Sequence, residues 1–141
     1  MIFGIGTDII NINRIRNIIK KYGINFKKRC FHENEILRSE KKFNTVESYA
    51  KRYAAKEACA KALGTGLAKG IFWKDIEVRN NTSGKPYIVL HERAKKFLNI
   101  NFSEKAKIEI SLSDEKDFAI ANVLIFKWKK INFLAIFALY H

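Results

Sequence analysis

The chain has 141 residues, 48% of them hydrophobic, enough for one domain with its own core, and no Pro- or Ser-rich stretch marks a linker to a second. Its 27 Lys and Arg against 14 Asp and Glu give a formal net charge of +13, a surface that attracts polyanions, whether nucleic acid, phosphate-bearing cofactor, anionic membrane or acidic protein, without choosing among them. With only Cys30 and Cys59, and an opening MIFGIGTD that lacks a basic leader and is cut early by Asp8, the sequence speaks against a disulfide framework or signal peptide, and a reducing cytoplasm is expected.

Residues 2–10 read as a strand. Ile5, Ile9, Ile10 and Ile12 ask for burial, Gly4 and Gly6 remove bulk, and Asp8 sets a carboxylate among them. Such a charge needs compensation, either from backbone N–H groups at a strand end or from a bound cation. Asn11 or Asn13 can cap a following helix with apolar positions Ile12, Ile15, Ile18, Ile19 and Tyr22, and Gly23 stops it. The opposite face carries Arg14, Arg16, Lys20 and Lys21, and the next turn adds Lys27, Lys28 and Arg29. Such a run is either a solvated basic face or a docking surface for an acidic partner.

Residues 31–43 read as a short polar helix capped near His32 to Asn34. Val46 to Leu63, dense in Ala, Lys and Glu and closed by Gly64-Thr65-Gly66, is the strongest predicted helix. Its alanines at 54, 55, 58, 60 and 62 permit close approach of another backbone. Glu57 and Lys61, spaced i, i+4, admit an ordinary helix-surface ion pair. Ile71 to Arg79 reads as a strand, NNTSGKP (80–86) as a turn, Tyr87 to Leu90 as the returning strand, and Glu92 to Leu98 as a helix. Lys107 to Ser113 and Phe118 to Phe126 read as a strand pair joined by Asp114 to Asp117. Beyond it, KWKKINFLAIFALYH carries an apolar run from Ile131 to Tyr140, about half of what spans a bilayer. Membrane-surface anchoring, packing on its own domain or on a neighbouring subunit, and plain disorder are all open to that tail of unknown role (127–141).

In order along the chain, GIGTDIINI-x-RI, RYAAKEACAKALGTG (52–66), SGKPY (83–87) and ISLSDEKDFAIANVLI (110–125) closely resemble the holo-[acyl-carrier-protein] synthases, the bacterial single-domain 4'-phosphopantetheinyl transferases. The resemblance covers residues 1–126. It implies an α+β fold, an antiparallel sheet packed against a long helix, assembled as a homotrimer with active sites between subunits. It also implies transfer of the phosphopantetheine arm from coenzyme A to a serine of apo acyl carrier protein, releasing adenosine 3',5'-bisphosphate, in support of cytoplasmic fatty acid biosynthesis.

The family's magnesium ligands fall on Asp8 and Glu57, which with Lys61 make the expected catalytic set. Two carboxylates, with water and phosphate oxygens completing an octahedron, is what Mg²⁺ prefers. Arg52 and Lys61 resemble phosphate contacts, Gly64 a close approach to the cofactor, and Gly84, Lys85 and Pro86 the turn bordering the coenzyme A nucleotide. The role of Lys56 stays open. Arg14 matches the family's carrier-protein docking helix best, followed by Arg16, Lys20, Lys21 and Lys28. Where many relatives have a histidine, this chain has Asp114 in Ser111-Leu112-Ser113-Asp114; it is read as a turn initiator, and the general base stays open among Glu57, a metal-held water and Asp114. His32, His91 and His141 fall outside the motifs and are read as surface residues. A nucleic-acid-binding module is the competing reading of the charge, but the aromatics do not alternate with the basic residues and the acidic pair would be idle.

Overall fold

The pleat of the first strand organises the molecule. β1 (Ile2–Asn11) runs antiparallel to β5 (Phe118–Phe126), with Ile5 opposite Leu124 and Asp8 opposite Ala121. β5 also pairs with β4 (Lys107–Glu115), giving the order β1-β5-β4, while β2 (Ile76–Asn80) and β3 (Pro86–Leu90) form a separate two-stranded antiparallel sheet. The expected antiparallel pairing is therefore divided over two sheets. The structure, a computed structural model, describes residues 1–129; the apolar run at 131–140 and His141 lie outside them. Among the described residues, no helix is long and apolar enough to cross a membrane.

α4 (Thr45–Leu63) lies across the inner face of the three-stranded sheet. Along β5 the burial alternates, so that Ala119, Ala121, Val123 and Ile125 face the helix, where Ala54, Ala55 and Ala58 are wholly buried. The close approach depends on two glycines of β1. A Cβ built on Gly4 would stand 2.0 Å from the Ala62 carbonyl oxygen, and one on Gly6 would stand 1.9 Å from that of Ala58. Both obstacles are backbone and cannot rotate away. Gly6→Ala is therefore expected to destabilise the fold by about 3 kcal/mol, as over-packing of a tight contact does; a denaturation midpoint equal to wild type would refute this contact.

Local chemistry sets the remaining boundaries. Asn11 caps α1 (Ile12–Tyr22), its side chain accepting from the Asn13 N–H at 2.8 Å. Gly23, at φ +54°, breaks the chain into a second helix, α2 (Ile24–Cys30), so Lys27, Lys28 and Arg29 do not continue the first. α3 (Glu33–Glu40) begins after His32. Gly64 takes the left-handed conformation at φ +81° and ends α4, and the N–H groups of Thr65 and Gly66 return to the Ala60 carbonyl. The strand expected from Ile71 is shorter than that. Asp75 accepts the Phe72 N–H at 2.8 Å and closes a single 3₁₀ turn over Trp73–Asp75, so pairing starts at Ile76. α5 (Glu92–Asn101) follows β3. The last hairpin turns at residues 116 and 117, which leaves Asp114 within β4, opposite Ala119, rather than at the turn.

Candidate functional site

Strand alternation puts Asp8 on the same inner face as Gly4 and Gly6. Two strand residues advance about 6.6 Å and one helical turn about 5.4 Å, so contacts of Gly4 with Ala62 and Gly6 with Ala58 bring Asp8 beside the turn from Ala54 to Ala58 that carries Glu57, to which Lys61 reaches back from the next turn. The Asp8 carboxylate, 15% exposed, accepts from Lys61 Nζ at 2.9 Å, and the same ammonium donates to the Thr7 carbonyl at 3.0 Å. The i, i+4 ion pair of Glu57 with Lys61 is thus not formed; Lys61 turns to the strand instead. Glu57 is half-buried, and its carboxyl is held above the usual range by burial and then by the charge of Asp8, with Lys61 and Arg14 acting in the opposite direction. Two carboxylates from distant segments thus meet. Their mutual repulsion, and a donor set made only of oxygen, fit a hard dication such as Mg²⁺.

Tyr53, one turn before Glu57, is a member of this neighbourhood that sequence reasoning missed. Its hydroxyl is pushed up to about 12 by burial and then by the charge of Glu57, so it remains a donor at neutral pH, and its ring stacks on Trp73 at 4.3 Å. Nothing in the sequence separates it from Tyr49, four residues earlier and wholly in the core.

A second cluster lies elsewhere. Arg52, 5% exposed, lines a cleft with Arg38, Lys42, Lys51, Gly84 and Pro86. Its guanidinium donates to Ser48 Oγ at 3.2 Å and Asn80 Oδ1 at 2.9 Å, while its Nε–H is buried without a partner among the described residues. Gly84 stands at φ +88° with nothing within 4 Å of a built Cβ, so its backbone is open to close approach. Lys85 turns away to an exposed pair with Glu109 at 3.0 Å. Asp114, read from sequence as a turn residue, instead pairs with Lys51 at 2.7 Å on this side of the molecule. Asp8, Glu57 and Lys61 are not among the residues lining the cleft, so one chain presents the expected site residues as two groups.

On α1, Arg14 and Lys21 flank a shallow groove with Ile18 and Tyr22. Arg14, Lys20, Lys21 and Lys28 are exposed, whereas Arg16 is engaged, donating to Asn13 Oδ1 at 3.1 Å and standing 3.7 Å from Glu47.

Lys56, whose role the sequence left open, is wholly buried. Its ammonium donates to Glu35 Oε2 at 2.8 Å and to the carbonyls of Trp73 and Ile76. Glu35 in turn accepts the N–H groups of His32 at 2.8 Å and Val78 at 3.0 Å. This pair locks α3, α4 and β2 together, one residue from Glu57. The surface reading of His32 and His91 also needs correction: both are half-buried and face each other across 4.7 Å, beside the buried carboxylate of Glu77. Positions 32, 77 and 91 share no spacing that a linear reading detects. Cys30 and Cys59 are free and buried.

The family model described as the 4'-phosphopantetheinyl transferase superfamily matches residues 4–123. A holo-[acyl-carrier-protein] synthase of Ehrlichia chaffeensis is 50% identical over 129 residues, 89% of this chain and 98% of that protein. Among solved structures, the holo-[acyl-carrier-protein] synthase of Neisseria meningitidis superposes with a TM-score of 0.82 at 36% identity, covering 90% of this chain and all (100%) of that one. The Helicobacter pylori enzyme, solved in complex with coenzyme A, gives 0.75 at 31% identity over 86% of this chain and 99% of that one.

Proposed function

The chain belongs to the 4'-phosphopantetheinyl transferase superfamily, among the holo-[acyl-carrier-protein] synthases, and on that premise we propose that residues 1–126 form the transferase unit, with Asp8 and Glu57 holding Mg²⁺ against the pyrophosphate of coenzyme A. The reaction moves the 4'-phosphopantetheine arm to a serine of apo acyl carrier protein and releases adenosine 3',5'-bisphosphate. What supports the metal assignment is the packing of the β1 strand on α4, which sets the Asp8 carboxylate on Lys61 and within the charge field of the half-buried Glu57, whose carboxyl is raised first by burial and then by Asp8. When bound, the dication supplies Lewis-acid polarisation of the attacked phosphate and offsets charge on the departing nucleotide.

The chain's own residues do the rest. Lys61, half exposed, can exchange Asp8 for a phosphate oxygen and keep its charge on the leaving side. Arg52 has a spare Nε–H in a cationic cleft, which suits a nucleotide phosphate, with Gly84 and Pro86 as backbone wall. Gly64 leaves its side of the helix end open, since nothing lies within 4 Å of a built Cβ. Lys85, paired with Glu109 at the surface, is the weakest member of this set.

The separation of the two groups favours an active site completed by a neighbouring subunit. The outer face of the three-stranded sheet, with Ile5 72% and Ile9 60% exposed beside Phe118 and Ile120, is an apolar surface suited to self-association in a homotrimer. Ile5→Lys is expected to give monomers in light scattering and to cut the transfer rate with them; a variant that stays fully assembled refutes this face as the contact.

Incubation of the protein with Mg²⁺, coenzyme A and apo acyl carrier protein tests the activity directly: the carrier gains the mass of the arm. An inert protein that retains nucleic acid at moderate salt would replace this reading with the binding module. The exposed cations of α1 and α2, Arg14 above all, are assigned to docking of the acidic carrier. Arg14→Glu is expected to raise KM for the carrier by about tenfold or more while leaving KM for coenzyme A within about twofold, with the difference shrinking as salt rises. Equal effects on both substrates would rule the docking face out. We place the activity in the cytoplasm, in supply of carrier protein for fatty acid biosynthesis.

A further inference from the structure

The remaining cluster of ligating side chains, His32, Glu77 and His91, is used by none of the chemistry above. Three elements meet there: His32 precedes α3, Glu77 lies in β2, and His91 follows β3. One ligand atom from each lies within 4.8 Å of the other two. Glu77 is 1% exposed, and its Oε2 is 2.7 Å from His91 Nε2. Arg79 bridges both carboxylate oxygens, Nε to Oε1 at 2.9 Å and a terminal N–H to Oε2 at 3.0 Å. The His32 ring stands against the His91 ring at 4.7 Å with its Nε2 on the Lys74 carbonyl. A carbonyl accepts only an N–H, so Nε2 of His32 carries a proton and Nδ1 is the nitrogen that can ligate; fixing one ring nitrogen on a carbonyl is how proteins prepare the other for a metal.

We propose that these three side chains form a second cation site, specific for a borderline transition-metal ion of the Zn²⁺ class and distinct from the Asp8–Glu57 pair. Two imidazoles and one carboxylate select such ions over Mg²⁺, which demands oxygen. In a four-coordinate ion, Zn–N and Zn–O distances near ~2.0–2.2 Å set ligand atoms about 3.4 Å apart, so the present spread of up to 4.8 Å closes by rotation of the half-exposed imidazoles onto Glu77. On binding, the proton now held between His91 Nε2 and Glu77 moves to His91 Nδ1 or, from the imidazolium, to solvent. Arg79, 40% exposed, gives up its Oε2 bond and keeps Oε1. The ion would join the start of α3 to both strands of the small sheet, the same junction that Glu35 holds through His32 and Val78.

Co²⁺ is the probe, titrated into the full chain in Mg²⁺-free buffer. The expected result is one equivalent bound with the intense visible absorption of a four-coordinate ion. It should be displaced by Zn²⁺, and Zn²⁺ should raise the thermal midpoint by about 5 °C or more at 100-fold excess over Kd. His91→Gln and His32→Gln should each weaken binding by about 30-fold or more, whereas the Asp8→Ala/Glu57→Ala double variant should keep the absorption unchanged. The site is refuted if the spectrum is the weak one of a six-coordinate ion, if it survives both histidine changes, or if it disappears with the two acids. Should a histidine variant lose its native circular dichroism, the wild type decides: contact-shifted imidazole N–H resonances from two rings in the Co²⁺ protein support the site, and their absence overturns it.

Discussion

Replacing Asp8 or Glu57 by alanine is expected to lower the transfer rate at saturating substrates by about 10³-fold or more, a loss of about 4 kcal/mol of transition-state stabilisation. Both variants should fold. Among the described residues Asp8 is paired only with the half-exposed Lys61, and removing Glu57 takes away a carboxyl that burial already disfavours in its charged form. The signature that separates metal binding from general disturbance is the Mg²⁺ dependence. The variants should need a much higher Mg²⁺ concentration for half-maximal rate, while the thermal midpoint without Mg²⁺ stays close to wild type. A variant that keeps a tenth of the wild-type rate at unchanged Mg²⁺ dependence would remove the pair from the chemistry.

The largest effect on stability should come from the neighbouring lysine. Lys56→Met leaves the Glu35 carboxylate in the interior, still bound by the His32 and Val78 N–H groups but without its cation. Breaking one side of a buried pair costs about 3–5 kcal/mol, which lowers the thermal midpoint by roughly 10–20 °C. Glu35→Gln, which neutralises the carboxyl and keeps an acceptor for one of the two N–H groups, should be less harmful with Lys56→Met than with Lys56 in place. Non-additivity of that sign in the double-mutant cycle is the test, and additive effects would show that the two groups do not act as a unit. Burial already pushes the Lys56 ammonium below its usual range against the pull of Glu35, so the methionine replaces a group held in the interior only by that carboxylate and two carbonyls.

What could be read from the sequence follows the reach of each interaction. The strand read at 2–10, the cap at Asn11 or Asn13 and the stop at Gly64 are encoded within a few residues, and the observed elements follow them to within a residue, with Asn11 as the cap. The 3₁₀ turn at Trp73–Asp75 was missed because it depends on one side chain, Asp75, choosing a backbone N–H three residues back over solvent. The break at Gly23 was visible as a stop and silent about the helix that restarts directly after it. At the site, Asp8, Glu57 and Lys61 are proposed from motif, and of the two readings of Lys61 the helix-surface pair with Glu57 is not the one formed, because the strand packed beside it offers Asp8. Asp114 was misread for a related reason: its fate is decided by Lys51, which lies 63 positions earlier and cannot be weighed in a local window.

The glycine contacts of the first strand have a consequence for how the enzyme should age and adapt. Where Gly4 and Gly6 meet Ala62 and Ala58, main chain touches main chain, with no intervening layer of movable groups to swell, shrink or repack. The spacing of the strand that carries Asp8 from the helix that carries Glu57 is thus gauged there by peptide units. Drift in the aliphatic interior over generations can erode melting temperature without detuning turnover, and on warming the protein should keep its full rate per folded molecule until it cooperatively melts.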